Sequence, residues 1–325
     1  MILLFIVITS LLLDLALGEP RKFHPLVGFG KLASWLEKQA NSNHHSKPQS
    51  QLTPKSPSKQ IIMGGFAATL LIVPFLLLVI AIDHIISPIT SIAINILVLY
   101  LVIGHKSLRE HANNVLEKCL ANDLGASRQQ LAMIVSRNTE QLDQEQVIQA
   151  TVETVLENGN DAIFAPLFWF CLLEVMTGLG AAAALVYRLS NTLDAMWGYR
   201  NQRFNHFGLV AARLDDALNY IPARLVALSY ALLGNTRLAL QCWRQQSPSL
   251  KSPNAGPVMT AGAGSLNIRL GGPTYYHHVY TEKPYFGSDI VVKATDITRS
   301  LQLICNTIIL WCLSISAITL LLTLA

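Results

Sequence analysis

Charge is what this sequence has least of. Aspartate, glutamate, lysine and arginine make up 14% of its 325 residues, where a soluble domain carries about 25%. That deficit argues against the two soluble domains that the length alone would allow. Cysteine pairs are missing as well. Cys119, Cys171, Cys242, Cys305 and Cys312 form no CxxC and no metal-ligand spacing, which excludes a zinc ribbon and a disulfide framework. No GxxxxGKS or GxxxxGKT stretch occurs, so a P-loop is excluded on the motif.

What is abundant is apolar. Mean hydropathy is +0.39, and the apolar residues fall in runs at 1–13, 61–82, 85–103, 162–187 and 301–325. A membrane helix needs about 20 such residues to cross roughly 30 Å of hydrocarbon. The second, third and last runs reach that length without a lysine or arginine. Pro74 and Pro88 are tolerated in membrane helices packed against neighbours. The first run lacks a basic stretch before it, and Asp14 follows it directly, so it is expected to be a retained helix and not a signal peptide.

The fold expected is all-α: a polytopic helical membrane protein with cytoplasmic helical segments and a Gly-rich loop region. Its parts are an N-terminal membrane helix and motif at 1–38, a disordered linker at 39–60 and a transmembrane hairpin at 61–104. A helical polar segment follows at 105–161, then a membrane or re-entrant segment at 162–187. A polar catalytic segment at 188–300 and a C-terminal transmembrane helix at 301–325 complete the chain. The linker is polar and Ser/Pro/Gln/Lys-rich without apolar periodicity. His44 and His45 within it read as solvated. Arg21, Lys22, Lys31, Lys38, Lys47, Lys55 and Lys59 outnumber Glu19 and Glu37 over 18–60, which places that segment on the cytoplasmic side of the cell inner membrane.

Within this frame, Asp83–His84 is expected to separate the two hairpin helices. Leu108, Ala112, Val115 and Cys119 share one face of a helix over 105–119. Further helices are expected at 126–135 and 144–157, the latter burying Val147, Ala150, Thr151 and Val155. Gly178-Leu179-Gly180 interrupts the fourth run. Either 162–187 turns back on itself there or 221–240 forms a further crossing, which Arg224 and Arg237 make amphipathic.

Polar residues gather at three places. Glu157 and Asp161 are four apart beside Asn158, and on a helix would share a face. They are candidates for Mg²⁺, which prefers oxygen ligands; a plain helix end is the equal alternative. Over 188–224, Asn191 and Asp194 are three apart, as are Arg213 and Asp216, and Asp215 and Asn219 are four apart, with Tyr199, Arg200 and Arg203 between. Ionisable groups among apolar neighbours mark functional cavities near a membrane, and arginine forks suit phosphate oxygens. Residues 252–273, SPNAGPVMTAGAGSLNIRLGGP, carry Asn254 and Arg269 among glycines. Glycine turns let backbone amides approach an anion; a close-packed small-residue helix is equally compatible.

These residues also match a known pattern. The sequence resembles the CbiB/CobD membrane family, adenosylcobinamide-phosphate synthases of cobalamin biosynthesis. The resemblance runs through Asp14, Gly18-Glu19-Pro20, His24-Pro25, Lys106–Glu110, Ile134–Thr139, Glu157-Asn158, Ala165–Trp169 and Tyr187-Arg188. It continues through Asn191–Asp194, Gly198-Tyr199, Ala211–Asp216, Ile221–Arg224, Asn254–Gly256 and Arg269–Pro273. The departures are Glu19 where the family usually has aspartate, Asn138 in place of aspartate and Ala162 in place of glycine.

The resemblance implies an ATP-dependent amide ligase joining adenosylcobyric acid to aminopropanol or its O-phosphate. Residue chemistry then nominates Asp194, Asp215, Asp216 and Arg213 for catalysis. Asn191, Tyr199, Arg200, Asn254, Arg269, Gly271 and Gly272 are nominated for substrate or phosphate, and Glu157 and Asp161 for metal. ATP and Mg²⁺ are the implied cofactors. The implied partners are the corrinoid and amino-alcohol substrates, the lipid bilayer and other cobalamin-assembly membrane enzymes, with no nucleic acid. Two alternatives share some of these residues. One is an Mg-dependent membrane prenyltransferase, from Asn191-x-x-Asp194 and the Asp215-Asp216 pair. The other is a non-catalytic membrane regulator of the same superfamily.

Overall fold

The structure is a computed structural model that describes residues 1–20, 24–43, 56–135, 137–276, 279–281 and 283–324. Arg21–Phe23, most of the expected linker with His44 and His45, and Ser136 lie outside the described residues. The chain is almost entirely helical and divides into two compact units. One comprises Ile2–Ile103 with Ala165–Asn219, the other Gly104–Phe164 with Tyr220–Ala325. They are called the N-terminal and C-terminal units below.

The N-terminal unit contains α1 (Ile2–Leu17), α2 (Pro25–Ala40), α3 (Pro57–Ile85), α4 (Pro88–Val102), α8 (Ala165–Thr177), α9 (Gly180–Trp197) and the start of α10 (Leu209–Leu233). Helix α3 runs through Asp83 and His84, so the expected break there is corrected to Ile86–Ser87. The cause is local: Ser87 accepts the Thr90 amide at 3.3 Å and Pro88 opens the next helix, a standard start signal. The segment expected as linker is shorter too, because α2 continues through Ala40 and α3 begins at Pro57.

Four helices supply this unit's main core. Phe29 and Ala33 of α2 meet Ala67, Ala68, Leu71 and Ile72 of α3, Leu189, Leu193 and Trp197 of α9, and Phe207 and Ala211. Small residues bring the backbones close. A Cβ on Gly64 would run into the Phe207 carbonyl. The loop after α9 is tied down by Arg203, whose guanidinium grips the buried Glu37 carboxylate at 3.1 and 2.6 Å. Asn41 bonds both Glu37, at 2.8 Å, and the Arg203 carbonyl, at 2.9 Å. Gly178, at φ +75°, turns the chain between α8 and α9, the position at which the sequence interrupts its fourth apolar run.

The C-terminal unit holds α5 (His105–Leu120), α6 (Leu124–Ala132), α7 (Gln144–Gly159), a π-helical turn (Asn160–Phe164), the rest of α10, α11 (Thr236–Gln246), α12 (Ala255–Leu266) and α13 (Thr295–Leu324). Leu108, Ala112, Val115 and Cys119 of α5 are all buried, as their spacing predicts. Helix α6 begins at Leu124, where Asp123 caps it, and ends at Ala132, short of the expected 135. The expected segment 221–240 is not one helix: α10 ends at Leu233, and Asn235 caps α11 by accepting the Leu238 amide at 3.1 Å.

The glycine-rich stretch is mostly helix. Of its two readings, the packed helix holds over Ala255–Leu266, with eleven of twelve residues buried. Cβ atoms on Gly262 and Gly264 would collide with Leu156 of α7 and the Ala239 backbone of α11, so glycine permits both approaches. Turn chemistry is confined to Gly271 and Gly272, at φ +80° and +89°. There β1 (Arg269–Gly271) pairs antiparallel with β4 (Tyr285–Gly287), and β2 (Thr274–Tyr276) pairs with β3 (Val279–Thr281).

Among the described residues four helical stretches are long and apolar enough to cross a membrane: α3 (Pro57–Ile85), α4 with α5 (Pro88–Leu120), α7 through α8 (Gln144–Thr177) and Thr295–Leu321 of α13, while α1 is shorter. Only 22% and 17% of the most apolar windows of the first and last are buried within the protein. Their outward faces carry Leu70, Leu77, Ile85, Ile309, Ile318 and Leu321. Apolar faces of that extent fit a multi-pass membrane protein, where lipid covers them.

The Gly64 contact makes a testable case. Gly64→Ala should destabilise the detergent-solubilised protein by about 1–3 kcal/mol through overpacking. Gly28→Ala, with no atom within 4 Å of the added carbon, should be neutral or stabilising by up to about 1 kcal/mol, since alanine is the better helix former. Thermal unfolding followed by circular dichroism checks both. Equal melting temperatures for the two variants would contradict the close approach.

Candidate functional site

The polar residues expected over 188–224 come together in the N-terminal unit. Asp215 is 9% exposed, and its carboxylate is held by two side-chain amides. Asn191 of α9 donates to one oxygen at 3.2 Å, and Asn219, one turn along α10, donates to the other at 3.0 Å. Tyr187, fully buried, donates its hydroxyl to Asn219 Oδ1 at 3.0 Å, and Arg188 donates to Asn191 Oδ1 at 3.4 Å. The result is a chain of hydrogen bonds from Arg188 through Asn191, Asp215 and Asn219 to Tyr187. Helical spacing makes it: Asn191 lies one turn beyond Tyr187 and Arg188, and Asn219 one turn beyond Asp215.

Electrostatics separate the two adjacent aspartates. Burial pushes the Asp215 pKa above the usual aspartate value; the Asn191 and Asn219 amides pull it down, and the neighbouring Asp216 charge pushes it up. Asp216 is half-buried. Its pKa is raised by burial and opposed by the positive charges of Arg213 and Arg200. Asp216 is therefore a carboxylate with raised basicity set between two arginines. Tyr199 is 43% exposed and Arg200 is exposed. The Asn191 amide goes to Asp215, and the Asp194 carbonyl accepts the Gly198 amide at 2.7 Å and closes α9.

The remaining nominated residues lie in the C-terminal unit. Glu157 and Asp161 do not sit at a helix end. The chain passes from α7 directly into the π-helical turn, so Asn158 and Gly159 terminate nothing. Asn160 donates to Asp161 at 2.8 Å, and the Gly104 amide reaches the Ala162 carbonyl at 3.0 Å. π-Turns of this kind recur at functional positions. Arg269 pairs with Glu145 at 3.1 Å and lies over the Tyr285 ring. The Gly271 amide does meet an anion, but an internal one: Glu153, at 2.9 Å, which also pairs with Arg137 at 2.7 Å. Asn254 accepts from Arg224 at 3.2 Å. Asn138 accepts the Glu140 amide at 2.8 Å, a turn that aspartate would close equally well.

Among the described residues no three of His, Cys, Asp or Glu gather as a metal cluster. Magnesium, however, commonly uses one or two protein carboxylates and completes its shell with water and substrate phosphates. Asp215 and Asp216 are adjacent on α10 and so do not face each other; each could supply one carboxylate to such a shell.

Sequence reasoning underrated four residues. Arg188 and Tyr187 carry the network's two ends, and the charges of Glu19 and Arg188 both act on His24. An arginine in an apolar helix was the available signal for Arg188. Nothing in local spacing could bring residue 24 to residue 188.

The raised Asp215 pKa gives a signed prediction. Below the ordinary aspartate pKa the group is protonated in both folded and unfolded chains and costs nothing. Above its folded value it is ionised in both, at a penalty in the folded one. Asp215→Asn should therefore gain melting temperature relative to the parent as pH rises from 4 towards neutrality. A difference that shrinks over that range would contradict the assignment.

With this geometry in place, the chain can be set beside known proteins. It matches the family model described as CobD/Cbib protein over residues 7–304. It is 45% identical over 307 residues to the cobalamin biosynthesis protein CobD of Chromobacterium violaceum, covering 93% of this chain and 92% of that one. To the protein of the same name from Stutzerimonas stutzeri it is 47% identical over 307 residues, covering 94% and 95%. To that from Clostridium perfringens it is 37% identical over 292 residues, covering 86% of each. No solved structure matches the chain. Because the family match takes in all but residues 1–6 and 305–325, the chain belongs to the CobD/Cbib family.

Proposed function

We propose that this chain is an enzyme of cobalamin biosynthesis that joins adenosylcobyric acid, through a propionate carboxylate, to aminopropanol or its O-phosphate, driven by ATP. It would act as a multi-pass protein of the cell inner membrane with its polar segments towards the cytoplasm. The observation that carries the reading is the Asp215–Asp216 pair, one carboxylate held by amides and the other flanked by arginines, in a chain of this family.

Amide formation from a carboxylate needs three things: activation of the acid, neutralisation of phosphate charge and a base for the incoming ammonium. ATP supplies the phosphoryl group that makes the acid an acyl donor, and Mg²⁺ offsets the phosphate charge when bound. Asp216 suits the base, because burial raises its proton affinity while its half-exposed position leaves it accessible. Arg200 and Arg213 supply positive charge for the transferred phosphoryl oxygens. Asp215 positions Asn191 and Asn219 and offers its remaining lone pairs to a cation. Arg269, Asn254 and Gly271 already bind the protein's own groups, so no step is assigned to them.

The test is ligation by the membrane-embedded protein supplied with adenosylcobyric acid, aminopropanol or its phosphate, ATP and Mg²⁺. Amide product and ADP should form together. Asp216→Asn should lower kcat by about 10²–10⁴-fold, as loss of a general base does, with a smaller change in KM. A protein that folds, binds the corrinoid and yields no amide would instead favour the non-catalytic regulator.

A further inference from the structure

A second polar feature lies beside this network in the N-terminal unit, and the reaction as described does not use it. His24 caps α2, accepting the Leu26 amide on Nδ1 at 3.1 Å. The side chain is 8% exposed, and among the described residues its other nitrogen, Nε2, has no hydrogen-bond partner. Because Nδ1 accepts, the neutral ring carries its proton on Nε2. Burial favours that neutral form by holding the pKa below the usual histidine value; the Glu19 charge opposes this and the Arg188 charge adds to it. Nε2 is thus a buried donor with nothing to donate to.

Arg188 presents the same fault. One terminal nitrogen bonds Asn191 at 3.4 Å, while its buried Nε–H has no partner among the described residues. An unsatisfied buried donor costs about 1–3 kcal/mol, and both lie where α2 packs against α9, a contact that continues through Gly30 beside Met196; the Arg188 charge also acts on the histidine ring. Native proteins rarely keep such donors without an acceptor to fill them. The arginine is positive and the histidine donates as a neutral ring. The nearby carboxylate, Glu19, is exposed, so solvent screens its repulsion of a buried anion.

We propose that His24 Nε2 and Arg188 Nε form an oxyanion-binding subsite for a phosphate or carboxylate group of the substrate. Arg188 joins it to the Asp215 network through Asn191, so an anion seated there lies one side chain from the carboxylate pair. As a substrate subsite it rests on the function proposed above; as an anion site it stands independently of it.

The experiment separates the two. The purified full-length protein in detergent is titrated calorimetrically with inorganic phosphate and, in parallel, with acetate. The wild-type chain should bind one of them, and which one identifies the source: a phosphoryl group or a carboxylate. His24→Asn retains a capping oxygen for the Leu26 amide and deletes only the distal donor. It should bind roughly tenfold to a hundredfold more weakly with an unchanged or higher melting temperature in the absence of anion. Arg188→Gln should weaken binding similarly while leaving an amide for Asn191, and Arg188→Lys replaces it should the glutamine variant not fold. Wild-type affinity in both variants, or no binding of either anion by the parent, overturns the subsite. Binding that depends on His24 and Arg188 in a protein that ligates nothing keeps the subsite and retires the reaction.

Discussion

A carboxylate buried in an apolar helical chain must be solvated by the protein itself, and four buried carboxylates here meet that demand in two ways. Glu37, Glu153 and Asp296 are nearly inaccessible, and each is paired with an arginine: Arg203, Arg137 and Arg299. A backbone amide joins two of these pairs, Gly271 to Glu153 and Lys293 to Asp296. These pairs lock loops and strands to helices. Removing the arginine would leave an uncompensated buried carboxylate. Asp215 is solvated by side-chain amides alone among the described residues. Amides hold the carboxylate in place without cancelling its charge, so its proton affinity stays raised. That contrast separates Asp215, whose charge is left standing, from carboxylates whose charge an arginine offsets.

The helices can deliver these groups because small residues let them approach. Gly64 admits the Phe207 backbone, and Gly262 and Gly264 admit α7 and α11. In a chain whose outer surfaces are apolar, association of helices draws little from water release and depends on close van der Waals packing. The same economy of side-chain volume explains why a sequence so rich in glycine and alanine as 255–266 is a buried helix. Its glycines serve contact with neighbouring helices, and within the glycine-rich stretch 252–273 it is Gly271 and Gly272 that use the conformational freedom that glycine alone offers.

The helical content, the length of the membrane-competent runs and the buried faces of α5 and α7 were legible, because they follow from periodicity along a single element. Boundaries were less so. Ser87 outcompeted Asp83–His84 as a break because a capping hydroxyl followed by proline starts a helix, whereas two polar residues need not stop one. At Asn158-Gly159 the reading of a helix end failed for a related reason. A π-turn absorbs the irregularity, and α8 continues the chain at once.

For the site, spacing identified the Asp215–Asn219 and Arg213–Asp216 relations, which lie within one turn of one helix. It did not identify the Asn191–Asp215 bond, which joins α9 to α10 across 24 residues, or the placing of His24 near Arg188. The sequence by itself determined that the chain is an apolar helical protein whose few charges cluster, since composition and period are properties of the chain read in order. Only the tertiary structure decided which of those charges meet, which are neutralised within the protein, and which donors are left without acceptors. Those outcomes depend on distances between helices, and no local pattern encodes them.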